Sequence, residues 1–518
     1  MNRRGTACRA PTTDYMNVKQ SPLFQPVLWE GGRFKILDET LLPWKSEYIE
    51  VSELPQALRA VKEMKTRAFG QVLTFFYAAA LVARGQSGAA LRERLGRLAQ
   101  EFVEARPTFD FKALAGYFDP WFDSMPTGNN AGSWFEGKIH ELVSGITKAR
   151  TQRAKTAAEL LPSPCRLLTH CNVSGEIVAV AHWCRAMGKD LRVIATETRP
   201  YLQGSRLTAW ELAQAGVEVE LIPDCAIAQV IAEGNVNAVL VGADRSARNG
   251  DIVNKVGTYP IAVVAKEYGV PFYVLVQDPG KLQSGDDVEI EERPVSELFQ
   301  LQGRPLLEYK IDGRYPAFDV TPARLISRLI GFDGSYTPES FREKYRPESP
   351  ARQDEKRAAP SYLLIYGIPE ASSYPQLAHA LRGEEAAHVL LPEMRPELWG
   401  LHTVAQGLRE QNVPFQLISD NMMGTLFAQG TIRKLYLFYT EFAEKGPVGI
   451  CGSLLAVLLA RAHGVPVKLF ASKAVTAAPR DRDVSTFMGQ RVGSDGVEIY
   501  PIEKEMIPWA FFKEKTEA

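Results

Sequence analysis

Residues 240–259 read LVGADRSARNGDIVNKVGTY. The stretch closes an apolar run, NAVLVGAD from Asn237 to Asp244, and then turns abruptly polar with Asp244, Arg245, Arg248, Asn249, Asp251, Asn254 and Lys255. A short, wholly apolar run bounded by turn residues reads as a buried strand of a parallel sheet. The same texture extends to either side: CRLLTHC (165–171), LRVIATE (191–197), VEVELIP (217–223) and PFYVLVQ (271–277) alternate with helical stretches. Repetition of strand, helix and strand predicts an α/β domain with a parallel sheet covered on both faces.

Toward the N-terminus the pattern differs. Residues 1–23 read as a flexible tail, and PVLWEGGRFKILDETLLP (26–43) alternates like a hairpin with Gly31-Gly32 at its turn. LPQALRAVKEMK and GAALRERLGRLAQEFVEA place apolar residues at three- and four-residue spacing, so 24–150 is expected to be a small, mainly helical domain. The α/β domain then runs over 151–345. Residues 346–360, within YRPESPARQDEKRAAPS, are charged, proline-containing and aperiodic, which predicts a linker.

Beyond the linker, 361–518 returns to α/β texture with YLLIYGI, HVLLPE, PFQLISD, RKLYLFY and PVKLFAS. Shifting the chain by 196 residues sets ETRPYLQG (197–204) on EMRPELWG (393–400), LIPD (221–224) on LISD (417–420), and Gly234 on Gly430. After one deleted residue, YGVPFYVL (268–275) meets HGVPVKLF (463–470). The shared E-x-R-P-x-L-x-G predicts a second, degenerate copy of the α/β domain.

The 518 residues suit two or three domains, and the 45% hydrophobic, 23% charged composition is that of a globular protein. A net charge of −1 makes nucleic acid a poor partner. The six cysteines, Cys8, Cys165, Cys171, Cys184, Cys225 and Cys451, show no metal-like spacing and suit free thiols in a reducing cytoplasm. The start lacks the apolar core of a signal peptide, and the longest apolar run, Gly70 to Ala83, is too short to span a bilayer.

Ligands of open α/β sheets sit beyond the carboxyl ends of the strands. That rule selects His170-Cys171-Asn172, Glu197 and Arg199, Asp224, and Asp244 as a set expected to converge on one edge. Cys171, with Ser174-Gly175 following where a helix can start, is expected to have a lowered thiol pKa. Asp244, at the mouth of an apolar strand, is expected to have a raised one. Asn254 and Lys255 are read as opening the next helix and as suited to anionic oxygen or a sugar hydroxyl. No G-x-x-x-x-G-K-[ST] or strand-borne G-x-G-x-x-G is present, so no nucleotide cofactor is indicated. In the second copy Cys171 becomes Gly367, Gln203 becomes Trp399, Asp244 becomes Thr440 and Asn254-Lys255 becomes Gly449-Ile450. A copy that keeps the scaffold and loses these groups argues that they serve chemistry in the first.

LTHCN (168–172), ETRPYLQGSRLTAWEL (197–212), VGADRSARNGDIVNKVGTY (241–259), IEERP (290–294) and PAFDVTP (316–322) closely resemble the S-methyl-5-thioribose-1-phosphate isomerases. Those are related to the ribose-1,5-bisphosphate isomerases and to the regulatory subunits of eukaryotic initiation factor 2B. The resemblance spans about Phe24 to Tyr345. It implies a Rossmann-like catalytic domain and an aldose–ketose isomerase of a 5-substituted ribose 1-phosphate, working without metal or cofactor. S-methyl-5-thioribose 1-phosphate is the leading substrate; 5-deoxyribose 1-phosphate and ribose 1,5-bisphosphate are alternatives. A non-catalytic, initiation-factor-like sensing protein is the other reading. The matched positions imply Cys171 and Asp244 as the acid/base pair, and Arg67, Ala68, Phe69, Arg106, Gln203, Asn254 and Lys255 as substrate-binding groups. The family's R-G-A-P turn is Arg67-Ala68-Phe69-Gly70 here, and FDFKALAGYFD (109–119) replaces an apolar helix, so the N-terminal wall of the pocket is expected to be altered. The implied partner is a small sugar phosphate, with no membrane and no nucleic acid. The family's dimerisation through its α/β domains suggests a pseudo-dimer within one chain or a homodimer.

Overall fold

The computed structural model describes residues 21–512 apart from 87, 108, 127–129, 302–303, 306–310, 348–360, 384–387, 474–480, 482 and 503. The expected tail through residue 20 and most of the expected linker lie outside the described residues. Residues 21–23 are not loose: Ser21 and Leu23 are buried, and the Ser21 hydroxyl donates to Glu211.

The N-terminal region opens on three antiparallel strands, β1 (Val27–Glu30), β2 (Arg33–Leu37) and β3 (Tyr48–Val51). Gly31 and Gly32 turn the hairpin with φ of 58° and 95°, which matches the twist of a two-residue turn. The third strand was not legible in the alternation. Four main helices follow: α1 (Leu54–Lys62), α2 (Ala68–Ala83), α3 (Gly88–Ala105) and α4 (Ala131–Leu160). An aromatic core of Phe75, Phe76, Phe102, Phe111, Phe118 and Phe135 binds them. The boundary expected at 150/151 falls inside α4. Its 30 residues carry Phe135, Ile139 and Val143 into this core, and Ala154, Ala157 and Ala158 into the core of the next domain. One rigid rod thus fixes the two bodies to each other.

The first α/β unit contains β4 (Cys165–Thr169), α5 (Glu176–Ala186), β5 (Leu191–Thr196), β6 (Val219–Ile222), β7 (Ala238–Gly242), β8 (Ile252–Lys255), α6 (Thr258–Glu267), β9 (Phe272–Leu275), β10 (Phe318–Thr321), β11 (Arg328–Gly331) and β12 (Gly334–Tyr336). The second contains β13 (Tyr362–Tyr366), β14 (His388–Pro392), β15 (Phe415–Ile418), β16 (Ile432–Tyr439), β17 (Gly446–Gly449), α7 (Ser453–Ala462), β18 (Val467–Ala471), β19 (Glu498–Ile499) and β20 (Glu505–Met506). The first sheet runs in the order β12-β11-β9-β7-β4-β5-β6-β19, parallel except for β12. The second runs β18-β16-β13-β14-β15, all parallel. Residues 361–518 are therefore not confined to the second unit, because β19 adds a strand to the edge of the first sheet at β6.

The two units share one apolar core, continuous from Val239 and Val264 through Tyr259 to Leu364 and Leu455. Helices α6 and α7 pack on each other across the junction. Among the described residues no helix is long and apolar enough to cross a membrane.

Candidate active site

All nine residues singled out for the site, Arg67, Ala68, Phe69, Arg106, Cys171, Gln203, Asp244, Asn254 and Lys255, line one cavity of about 1300 Å³. It lies between the N-terminal helices and the carboxyl ends of β4, β5 and β7.

Cys171 follows β4 and holds φ at 62°, a left-handed conformation that costs a non-glycine residue about 1–3 kcal/mol. The loop compensates with Thr198 Oγ1, which accepts from Cys171 N at 2.9 Å, and Thr208 Oγ1, which donates to Cys171 O at 2.6 Å. The corresponding Gly367 has φ of 93°, and a Cβ there would lie 2.2 Å from Phe438 O. The second unit thus keeps the bend and excludes the side chain.

The expectation of a lowered thiol pKa is corrected. Burial pushes Cys171 up to about 11, against the opposing pull of the Lys255 ammonium. The helix α5 begins only at Glu176, five residues on, too far for its terminal field to win. Cys171 is a neutral thiol at physiological pH. Asp244 is exposed to the open space of the cavity, with protein crowded around that space. Burial raises its pKa, and the nearby Lys255 and Arg106 charges hold it down. Both groups are shifted upward, so the thiol keeps its proton and the carboxyl moves in the direction that suits acid/base work.

Asn254 and Lys255 do not open a helix. They end β8, and α6 begins at Thr258 after Gly257. Antiparallel pairing of β8 with β10 fixes both side chains. Asn254 Nδ2 donates to Thr258 Oγ1 at 2.9 Å, and Lys255 Nζ to Ala317 O at 3.0 Å. Burial lowers the Lys255 pKa, while Cys171 and Asp244 oppose that shift. Arg106 donates to Gln71 Oε1 at 2.9 Å, and Arg67 stands over the Tyr201 ring at 5.4 Å. These three cations are held by neutral groups, which leaves their charge available to an anion in the cavity. Gln203 Oε1 and Arg67 Nε are buried without a hydrogen-bond partner, atoms that a ligand would satisfy.

The altered turn is accommodated. Ala68 is the first residue of α2 and presents its methyl to the cavity, and the Phe69 ring lies under the Arg150 guanidinium at 3.8 Å. Sequence reasoning missed Arg150 and Arg153, which line the same cavity and clamp buried Glu176. Arg150 Nε and Arg153 Nε donate to its two oxygens, each at 2.9 Å. Two arginines three residues apart on the buried face of a helix were the available signal. Arg293 was also missed; it pairs with Glu291 and Glu297 beside Tyr201 at the rim.

Asn172 lines the cavity beside Cys171, and the other strand ends do not belong to it. Asp224 accepts from the amides of Thr198 and Arg199 at 2.8 and 2.6 Å. Glu197 and Arg199 are fully buried at the junction with the second unit, paired with Arg395 and Glu393. His170 is locked between Thr196 Oγ1 at 2.6 Å and Val256 O at 2.9 Å, and burial pushes its pKa down to about 4. It is a neutral structural residue. Among the described residues no group of three His, Cys, Asp or Glu side chains could hold a metal ion.

The parallel α/β scaffold and this cavity place the chain in a known class. The sequence profile of the initiation factor 2 subunit family matches residues 67–338 and again 371–489, and the chain belongs to that family. It is 35% identical over 330 residues to the methylthioribose-1-phosphate isomerase of Desulforudis audaxviator, covering 61% of this chain and 94% of that protein. It is also 35% identical over 332 residues to the enzyme of the same name from Thermotoga neapolitana, covering 60% and 94%. The crystal structure of 5-methylthioribose 1-phosphate isomerase from Pyrococcus horikoshii OT3 superposes with a TM-score of 0.58 at 27% identity, covering 66% of this chain and 99% of that one. The translation initiation factor eIF-2B subunit delta from A. fulgidus superposes with a TM-score of 0.54 at 32% identity, covering 60% and 96%.

Proposed function

We propose that this chain is an aldose–ketose isomerase that converts S-methyl-5-thioribose 1-phosphate to the corresponding ribulose 1-phosphate, a step of methionine salvage. The observation that carries this reading is the cavity itself. It holds a neutral thiol and a carboxylate of raised pKa beside cations held only loosely by neutral groups.

The phosphate on C1 blocks ordinary hemiacetal opening, so the ring must open with the phosphate attached. The Cys171 thiol gives its proton to the ring oxygen as the bond to C1 breaks. The hydrogen on C2 moves to the electron-deficient C1 with its bonding pair, as hydride, and Asp244 takes the proton of the 2-hydroxyl as the carbonyl forms at C2. Atoms and charge balance, and the pair resets by exchange with solvent. Lys255, Arg67 and Arg106 hold the phosphate, and Gln203 and Asn254 hold the sugar hydroxyls.

The test is turnover of S-methyl-5-thioribose 1-phosphate followed by proton NMR, with Cys171→Ser and Asp244→Asn beside the parent. Each substitution is expected to lower kcat by roughly 10²- to 10⁴-fold. No isomerisation of any 5-substituted ribose 1-phosphate by the parent would overturn the reading. The 32% identity to the A. fulgidus initiation-factor subunit favours a second one, a sensing protein that binds a sugar phosphate without turning it over. Tight binding without isomerisation would decide for it.

The second unit is read as a degenerate copy that occupies the place of a partner's α/β domain. Its separate match to the same family profile supports this, as does the shared strand order. Five free cysteines among the described residues are in keeping with a cytoplasmic setting.

A further inference from the structure

The cavity is larger than this reaction requires. Its volume of about 1300 Å³ exceeds the roughly 300–1,000 Å³ of ordinary small-molecule pockets. A pentose phosphate with a methylthio group fills only part of it.

The surplus has a direction. Helices α2 and α4 run antiparallel, with Phe69 at the start of α2 under Arg150, and Gly132 near the start of α4 against Ala83 O. The polar groups gather where α2 begins. One and two turns further along α2, Val72 and Phe76 face the cavity, about 6 and 12 Å from Ala68 at the helical rise. On α4, Ile146 and Leu142 lie one and two turns back from Arg150 and face it from the other side. Leu114 and Tyr117, from the segment that departs from the family, close the far end. Tyr117 stands edge-on to Phe76 at 6.1 Å and remains 55% exposed. On the α4 wall Gly145 lines the cavity, and a Cβ built on it meets nothing within 4 Å. The result is an apolar channel leading from the acid/base pair toward solvent.

We propose that the site takes ribose 1-phosphates whose 5-substituent is an alkylthio or arylthio group longer than methylthio, lying in the channel between α2 and α4. The inference rests on the isomerase reading and deepens it: C1 and its phosphate sit at the charged end, which points C5 at the apolar one. Burial of each added methylene favours the longer substrate, by about fourfold per CH₂ at room temperature.

The test is a series of 5-S-substituted thioribose 1-phosphates, from methyl through propyl and hexyl to benzyl, ranked by kcat/KM on the full chain. Values that climb with substituent size support the channel. A flat or falling series that begins with good turnover of the methyl compound overturns it and leaves the isomerase intact. No turnover of any member overturns both. Gly145→Leu and Val72→Phe each narrow the channel from a different wall. In either variant the hexyl-to-methyl ratio of kcat/KM is expected to fall at least tenfold. That ratio is internal to one protein and independent of the folded fraction. An unchanged ratio in both would place the substituent elsewhere.

Discussion

Arg199 of the first α/β unit grips Glu393 of the second through two buried bonds, Nε to Oε1 and Nη2 to Oε2, each at 2.8 Å. Arg395 returns the same grip to Glu197, with Nη2 to Oε2 at 2.8 Å. Each unit's Glu-x-Arg-Pro turn supplies one acid and one base to the other. The relation extends further along the junction. His170 meets Val256 O as the Tyr366 hydroxyl meets Cys451 O, and Asp224 braces its turn as Asp420 braces the other. The junction therefore follows an approximate twofold axis within one chain.

Removing one member of a buried pair strands the other. Glu393→Ala is expected to destabilise the protein by about 3–5 kcal/mol, read as a lowered urea midpoint. The double replacement Arg199→Met with Glu393→Leu, which strands no charge, is expected to cost less than Glu393→Ala alone. A double variant at least as unstable would show that the pair's other bonds, such as Arg199 Nη2 to Leu298 O at 2.7 Å, dominate.

The thiolate, not the thiol, is the nucleophile toward alkylating reagents. With Cys171 pushed up to about 11 by burial, its carboxamidomethylation by iodoacetamide is expected to be slow at pH 7.5 and to accelerate up to about pH 11. Peptide mass spectrometry at Cys171 measures it. Rapid labelling at neutral pH would mean that Lys255 outweighs burial.

Stability is expected to fall as pH rises from 6.5 to 8. Asp319 accepts from the amides of Gly257 and Tyr259, and burial pushes its pKa up to about 8; Glu505, which accepts from Leu454 N, is pushed up to about 7. The unfolded chain ionises both near pH 4, so the folded state binds more protons until its own pKa is passed. His170, neutral when folded, still binds part of a proton in the unfolded chain near pH 6.5, so it opposes the fall only at the low end of this window. Asp319→Asn with Glu505→Gln is expected to flatten the fall in urea midpoint between pH 6.5 and 8. An equally steep fall in the variant would assign the slope to other groups.

A protease site placed within residues 348–360 is expected to cut the chain without separating its halves. The two fragments should co-elute in gel filtration at micromolar concentration, held by the shared apolar core and by β19 on β6. Fragments that elute apart would overturn the junction as a stable interface.

The strands after Asn237 and Cys165 were legible because short apolar runs have few alternatives, and the repeat of the Glu-x-Arg-Pro turn was legible because it needed only alignment. Cys171 and Asp244 were reached through strand ends and through what the second unit lacks. Glu197, Arg199 and Asp224 looked the same by that rule and serve the junction instead. A sequence shows that a polar group ends a strand, but which face of the molecule covers it is decided by the partner packed there. The sign of the Cys171 shift failed for a related reason. Helix proximity is local and visible, whereas the burial that raises Cys171 comes from segments far apart in the sequence, and the Lys255 and Arg67 charges they bring only oppose it. The strand β19 has two residues and no periodicity to detect.

That short strand changes how dilution acts on the protein. The second unit is joined to the first at residues 348–360 and again at Glu498–Ile499, so the junction closes as an intramolecular event at an effective concentration in the millimolar range for short linkers. Two separate chains sharing the same contacts would part on dilution. Here the second unit stays docked on the first however scarce the protein becomes.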